Sequence, residues 1–91
     1  MTLNNKEIVS IFKALSDENR IEILSLLKHE EQCACLLLEK LDLSQSGLSY
    51  HMKILTEAGL VDARPDGKWI NYKINDENAK ELISILEEIF K

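Results

Sequence analysis

Glycine is scarce in this chain, with three in 91 residues. Gly47, Gly59 and Gly67 stand far apart, which excludes a glycine-rich loop that cradles phosphate. Long apolar runs are missing too. The longest cover only a few residues, well short of the ~20 that span a bilayer, so no membrane partner is expected. The opening MTLNNKE lacks the basic and apolar regions of a signal peptide, which predicts a cytoplasmic protein. A basic excess is absent: 11 Lys and Arg face 16 Asp and Glu, for a formal net charge of −5. That excludes a generally basic nucleic-acid coat protein. It leaves room for a local basic surface, because acids on another face are screened at physiological salt. Repeats, low-complexity tracts and long linkers are also lacking, so residues 1–91 read as a single domain.

Cysteine is limited to Cys33 and Cys35, separated by one alanine in EEQCACLLLEKL. In a reducing compartment such a pair binds metal, works in redox chemistry or is simply buried. A disulfide between them would close a tiny ring and add little loop-closure entropy. Cys-Ala-Cys is not the C-x-x-C spacing of dithiol oxidoreductases, and no βαβ pattern surrounds it. No nucleophile–base–acid set is recognisable elsewhere, so the chain does not read as an enzyme.

Five helices and one hairpin are predicted. Ile8, Ile11, Phe12 and Leu15 recur at helical spacing and make an apolar stripe. Ser16-Asp17 supplies the next N-cap. Ile21, Ile23, Leu24, Leu26 and Leu27 follow, apolar on more than one side and therefore central. Leu36, Leu37, Leu38 and Leu41 carry a short third helix. Ser44 caps a fourth, which runs from about Gln45 to Ala58 on Leu48, Met52 and Leu55 and stops at a C′ glycine, Gly59. The period then changes from 3.6 to 2. "LVDAR" and "KWINYKI" read as strands joined by a turn at Pro65-Asp66-Gly67, with Ile70, Tyr72 and Ile74 on one face. Asn75-Asp76 caps a last helix bearing Leu82, Ile83, Ile85, Leu86, Ile89 and Phe90.

The fold class is mainly α with a small β-hairpin, in α-α-α-α-β-β-α order. Two short helices joined by three residues and followed by a hairpin make a winged helix-turn-helix. Such a fold needs small or hydrogen-bonding residues where its second helix enters the major groove. Ser44, Gln45, Ser46, Ser49, Tyr50, His51 and Lys53 fill that role here. Arg64 and Lys68 on the hairpin, with Lys73 beyond, are candidate phosphate contacts. From Ser44 to Lys73 there are four basic and three acidic residues, against the acidic balance elsewhere. The plainer alternatives are that Ser44 only caps its helix, and that Tyr50 and His51 are satisfied polar groups at the edge of the core.

The chain resembles the ArsR/SmtB family of metal-responsive transcriptional repressors. "IFKALSDENRIEILSLL" is similar to the family's opening helices. "LSQSGLSYHMKILTEAGLV" resembles its recognition helix, of the form L-S-Q-P-x-x-S-x-H-L-x-x-L-x-x-A-G-L-V, and "DGKWINYKI" its wing. "EQCACLLLEKL" resembles the metal box E-L-C-V-C-D-L. Departures accompany the match. Leu36 stands where an aspartate usually follows the second cysteine, Leu38 where some members have a third cysteine, and Ser46 where a proline is usual. The final helix holds no histidine, so the zinc site that many relatives build there is not expected.

The resemblance implies a homodimer joined by segments of about 5–15 and 76–91, with Ile8, Ile11, Phe12, Leu82, Ile85, Leu86 and Ile89 at the interface. It implies double-stranded DNA with an inverted-repeat operator as partner. It makes Cys33 and Cys35 the ligands of an inducer ion, with no obligatory cofactor. Soft thiolates favour trivalent arsenic or antimony, with cadmium or zinc as lesser alternatives, since two thiolates are too few for a closed four-ligand zinc site within one protomer. Residues two apart point to nearly opposite sides of a regular helix, so one ion shared by both sulfurs predicts an unwound first turn. A redox- or persulfide-sensing repressor of the same fold, or a regulator with no working sensor, stays open beside this reading.

Overall fold

The computed structural model describes residues 3–91. Its elements run α1 (Asn5–Leu15), α2 (Glu18–Leu27), β1 (Gln32–Cys33), α3 (Ala34–Lys40), α4 (Gln45–Glu57), β2 (Val61–Asp66), β3 (Trp69–Ile74) and α5 (Asp76–Ile89). This is the expected mainly helical winged architecture with one addition. The short strand β1 joins the hairpin to make a three-stranded antiparallel sheet of order β1-β3-β2.

Local chemistry sets the helix starts. Asn4 accepts from the Glu7 amide at 2.8 Å while the Glu7 carboxylate accepts from the Asn4 amide at 2.9 Å, a capping box. Asp17 caps α2, Ser44 caps α4 and Asn75 caps α5, each satisfying an orphan amide of its first turn. At the end of α4, Gly59 has φ of 79° as the C′ residue, and a Cβ there would meet the Asn78 amide nitrogen at 3.0 Å. That same nitrogen donates to the Gly59 carbonyl at 2.9 Å, latching α5 onto the end of α4.

The hairpin turn lies one residue further on than expected. Asp66 pairs with Trp69, so the two loop residues are Gly67 and Lys68, and Pro65 and Asp66 belong to β2. Gly67 takes φ of 66° as the first loop residue, the place where a tight hairpin needs glycine. Pro65 is tolerated because β2 is an edge strand.

The core gathers one face of every helix and the inner face of the sheet. Ile11, Ile23 and Leu55 are fully buried, with Leu37, Met52 and Val61 close behind. α2 is not central on all sides: Ile23 and Leu27 face inward, but Ile21 is 46% exposed. Leu3 is drawn into the core, and its amide donates to the Glu81 carboxylate, tying the amino end to α5.

Candidate nucleic-acid interface and thiol pair

α3 and α4 form the helix-turn-helix. On α4, Leu48, Met52 and Leu55 pack inward, which turns Gln45, Ser46, Ser49, Tyr50 and Lys53 outward. Those five lie at helical spacing on one face, with Tyr50 62% exposed. Ser44 holds the Gly47 amide through its Oγ at 3.0 Å, and that Oγ also lies 3.2 Å from the Ser46 Oγ. Its structural duty is the cap. A cavity of about 80 Å³ between the start of α4 and the wing is lined by Gln45, Ser49, Lys68 and Trp69 among others. The wing tip and the start of α4 therefore share one wall. Lys68 and Lys73 are exposed, and Trp69 is half-buried as part of the wing's packing.

His51 does not belong to this outer face. It is 8% exposed, and its Nδ1 lies 3.0 Å from a terminal nitrogen of Arg20. The helix phase that points Ser49 and Tyr50 outward turns the next residue inward, so His51 is a core-edge group and not a groove contact. Arg20 itself escaped the sequence reading. The available signal was the lone cation of α2, three residues after its N-cap Asp17.

Arg64 is held on the sheet. Its Nε and one terminal nitrogen donate to the two carboxylate oxygens of Glu31 at 3.1 and 2.7 Å. These hydrogen bonds hold Glu31 below its ordinary value of 4.5, with the charges of Arg64 and Lys73 adding to the pull, and they raise Arg64 further. Strand register explains the meeting. Cys33 and Arg64 both pair with Asn71, from opposite sides of β3, so Glu31 and Arg64 sit on neighbouring rows of one sheet face.

The thiol pair differs in geometry from a pair inside a helix. Cys33 is the N-cap of α3, in extended conformation with φ of −71° and ψ of 143°, and Cys35 lies in the first turn. The two are joined in a disulfide with Cα atoms 5.2 Å apart, and the Cys33 Sγ accepts from the Cys35 amide at 3.2 Å. The expectation of an unwound helix turn is thus overturned: the extended cap already swings one sulfur towards the other. Among the described residues no cluster of three or more His, Cys, Asp and Glu could hold a metal, so Cys33 and Cys35 stand without a further protein ligand of that kind.

The expected interface residues divide. Ile11 is fully buried and Leu82 is 7% exposed, so both face their own core and neither is free for a partner. Each sits mid-stripe, on the side its helix turns towards the protomer. Ile8, Ile85 and Leu86 are half-buried, while Phe12 at 43% and Ile89 at 64% are open. Val9, Ile83 and Phe90 are open as well, at 51%, 57% and 81%. Among the described residues no helix is long and apolar enough to cross a membrane.

Residues 17–63 match the family model described as bacterial regulatory protein, arsR family. The chain is 44% identical over 87 residues to an arsenical resistance operon repressor of Staphylococcus aureus, covering 96% of this chain and 84% of that one. It is 38% identical over 85 residues to an uncharacterised helix-turn-helix transcriptional regulator of Methanocaldococcus jannaschii, covering 92% and 96%. An ArsR-like transcriptional regulator from Rhodococcus superposes with a TM-score of 0.81 at 34% identity, covering 92% of this chain and 77% of that one. These likenesses establish that the chain belongs to the ArsR family of DNA-binding transcriptional regulators and is not an enzyme.

Proposed function

We propose that this protein is a homodimeric transcriptional repressor that leaves an inverted-repeat operator when Cys33 and Cys35 together bind trivalent arsenic or antimony. The observation that carries the reading is the meeting of the two sulfurs on the cap and first turn of α3. In the reduced protein the two thiols condense with arsenous acid, forming two As–S bonds and releasing two waters, with one hydroxyl left on arsenic. A pair without a third sulfur suits such an ion better than cadmium or zinc, which call for fuller coordination. The likeness to an arsenical resistance operon repressor supports the same inducer class.

The sulfurs have two outlets to the DNA face. Cys33 pairs through its backbone with Asn71 of the wing, beside Gln32 with Tyr72. Cys35 belongs to α3, whose Leu37 and Leu41 are buried and whose end runs through Asp42-Leu43 into the Ser44 cap of α4. An ion bridging the sulfurs fixes the separation of two thiols that are free to part in the reduced, unliganded protein. That constraint reaches wing and reading helix together, and the ion favours whichever arrangement accommodates it.

A second reading is favoured by the disulfide itself. Oxidation of the two thiols, with loss of two protons and two electrons to a peroxide or to a sulfane-sulfur donor, would set the same switch without a metalloid.

The test uses DNA that the protein selects from a randomised duplex library, followed by fluorescence anisotropy with a phosphine reductant present. Arsenite or antimonite is expected to release the wild type, while Cys33→Ser and Cys35→Ser bind DNA normally and stay bound. Wild type that remains bound in all trivalent metalloids under reductant, and dissociates with peroxide, would transfer the role to oxidation. Indifference to both would leave a regulator whose thiols sense nothing.

A further inference from the structure

α2 carries a single cation, Arg20, and it is buried. A buried guanidinium persists only where its donors are satisfied. Its Nε donates to the Ala14 carbonyl at 2.7 Å, and one terminal nitrogen reaches the Lys13 carbonyl at 3.5 Å, both in the last turn of α1. The other terminal nitrogen lies 3.0 Å from His51 Nδ1 on α4. Arginine has no acceptor, so Nδ1 must accept, and the neutral imidazole then carries its proton on Nε2. The same Nδ1 is 3.8 Å from the Asp17 carboxylate. That is too long for a hydrogen bond, and a nitrogen without a proton has nothing to donate. Asp17 instead accepts the Arg20 amide at 3.2 Å and so fixes the start of α2 around the guanidinium.

We infer that Arg20 is a positioning residue for DNA reading, one planar group that ties the last turn of α1 to the recognition helix and sets the angle between them. The inference rests on the dimer reading above, in which α1 helps join the two protomers. The angle between α1 and α4 then sets how far apart the two α4 helices stand. A planar guanidinium bonded along two edges fixes orientation as well as distance, which a single-point ammonium does not. Reading paired half-sites about one helical turn apart requires that spacing to be held, whereas phosphate contact with any duplex does not.

The experiment compares wild type, Arg20→Met, His51→Leu and His51→Gln on three probes: the selected operator, the same operator with one base pair added to or removed from its spacer, and unrelated duplex. Sedimentation gives the mass of each protein. Arg20→Met and His51→Leu are expected to remain dimers and to keep non-specific affinity. They are expected to lose roughly tenfold or more on the selected operator, the scale of one mismatched base pair, and to stop discriminating between spacers. His51→Gln offers an amide oxygen to Arg20 and is expected to retain discrimination. A dimeric Arg20→Met that distinguishes spacers as wild type does would overturn the positioning role alone. A monomeric wild type, or one that selects a single half-site, would overturn the dimer reading and the spacing role with it. Long-range ¹H–¹⁵N spectra of the wild-type imidazole do not depend on any variant folding. They are expected to report a bare Nδ1 and a protonated Nε2, and a protonated Nδ1 would refute the contact.

Discussion

Arg64 donates to both carboxylate oxygens of Glu31, and it does so across a sheet face whose central residue, Asn71, also pairs with Cys33. One candidate phosphate contact of the wing is therefore already engaged by an acid from the segment that leads into the thiol pair. If Arg64 contacts phosphate, DNA and Glu31 compete for one guanidinium. Glu31→Gln is expected to tighten binding to any duplex and to steepen the salt dependence, by up to about 0.9 in the slope of log K against log salt for one phosphate gained. Anisotropy titrations at several salt concentrations measure both. An unchanged slope would mean that Arg64 does not reach the backbone.

The same pair has an acid-side signature. Glu31 is held below its ordinary value of 4.5 when folded, chiefly by the hydrogen bonds from Arg64. A depressed carboxylate contributes stability that is present above 4.5 and lost as pH falls towards the lower folded value. The gap in urea midpoint between wild type and Glu31→Gln should therefore be steady near neutrality and close below pH 4.5. The effect will be small, since the pair is exposed to solvent. A gap that widens on acidification would contradict it.

At the alkaline end, burial pushes the Tyr72 hydroxyl above its ordinary 10.0. The unfolded chain then ionises first, so stability is intact below pH 10.0 and declines as pH climbs towards the folded value. Tyr72→Phe should flatten that alkaline decline, as followed by circular dichroism. An equally steep decline in the variant would assign it to another group.

Base reading is expected to rest on the outward residues of α4. Ser49→Ala and Tyr50→Ala should each relax preference at a position of the selected operator, at about 1–3 kcal/mol per lost base contact, and leave non-specific binding unchanged. A competition series with single-base operator variants locates the affected position. Unaltered preference in both would place the reading elsewhere.

Gly59→Ala is expected to destabilise the fold by roughly 1–3 kcal/mol, because it forces a side chain into positive φ and crowds the Asn78 donor. Urea denaturation measures the loss. Asn78→Ala, which removes the latch without straining the backbone, separates the two contributions.

Much of this was legible in the sequence, for reasons specific to certain residues. Ser44, Asn75 and Gly59 declare helix ends because capping and positive φ are local demands, and the Leu48-Met52-Leu55 stripe fixes the outward set on α4 by elimination. Other features depend on partners far along the chain. β1 is two residues long and has no periodicity of its own; only its pairing with β3 makes it a strand. Ile11 and Phe12 are adjacent and both apolar, and the rotation of α1 against the core sends one inward and the other out. His51 meets Arg20 from 31 residues away, beyond any spacing rule. The sulfurs meet because the cap residue leaves helical geometry, which a helical-wheel argument cannot register.

The edge strand β2 bears on how copies of this chain join. An edge normally offers a row of unpaired amides and carbonyls on which another strand can grow. Here Pro65 contributes no amide, and Asp62, Arg64 and Asp66 put alternating charge along the exposed row. The opposite edge, β1, is two residues long, too short to template anything. Strand-by-strand polymerisation therefore finds no purchase on either side of the wing. The sheet edges thus resist amyloid-like association, while apolar residues on the helices, such as Phe12, Ile83, Ile89 and Phe90, stay open.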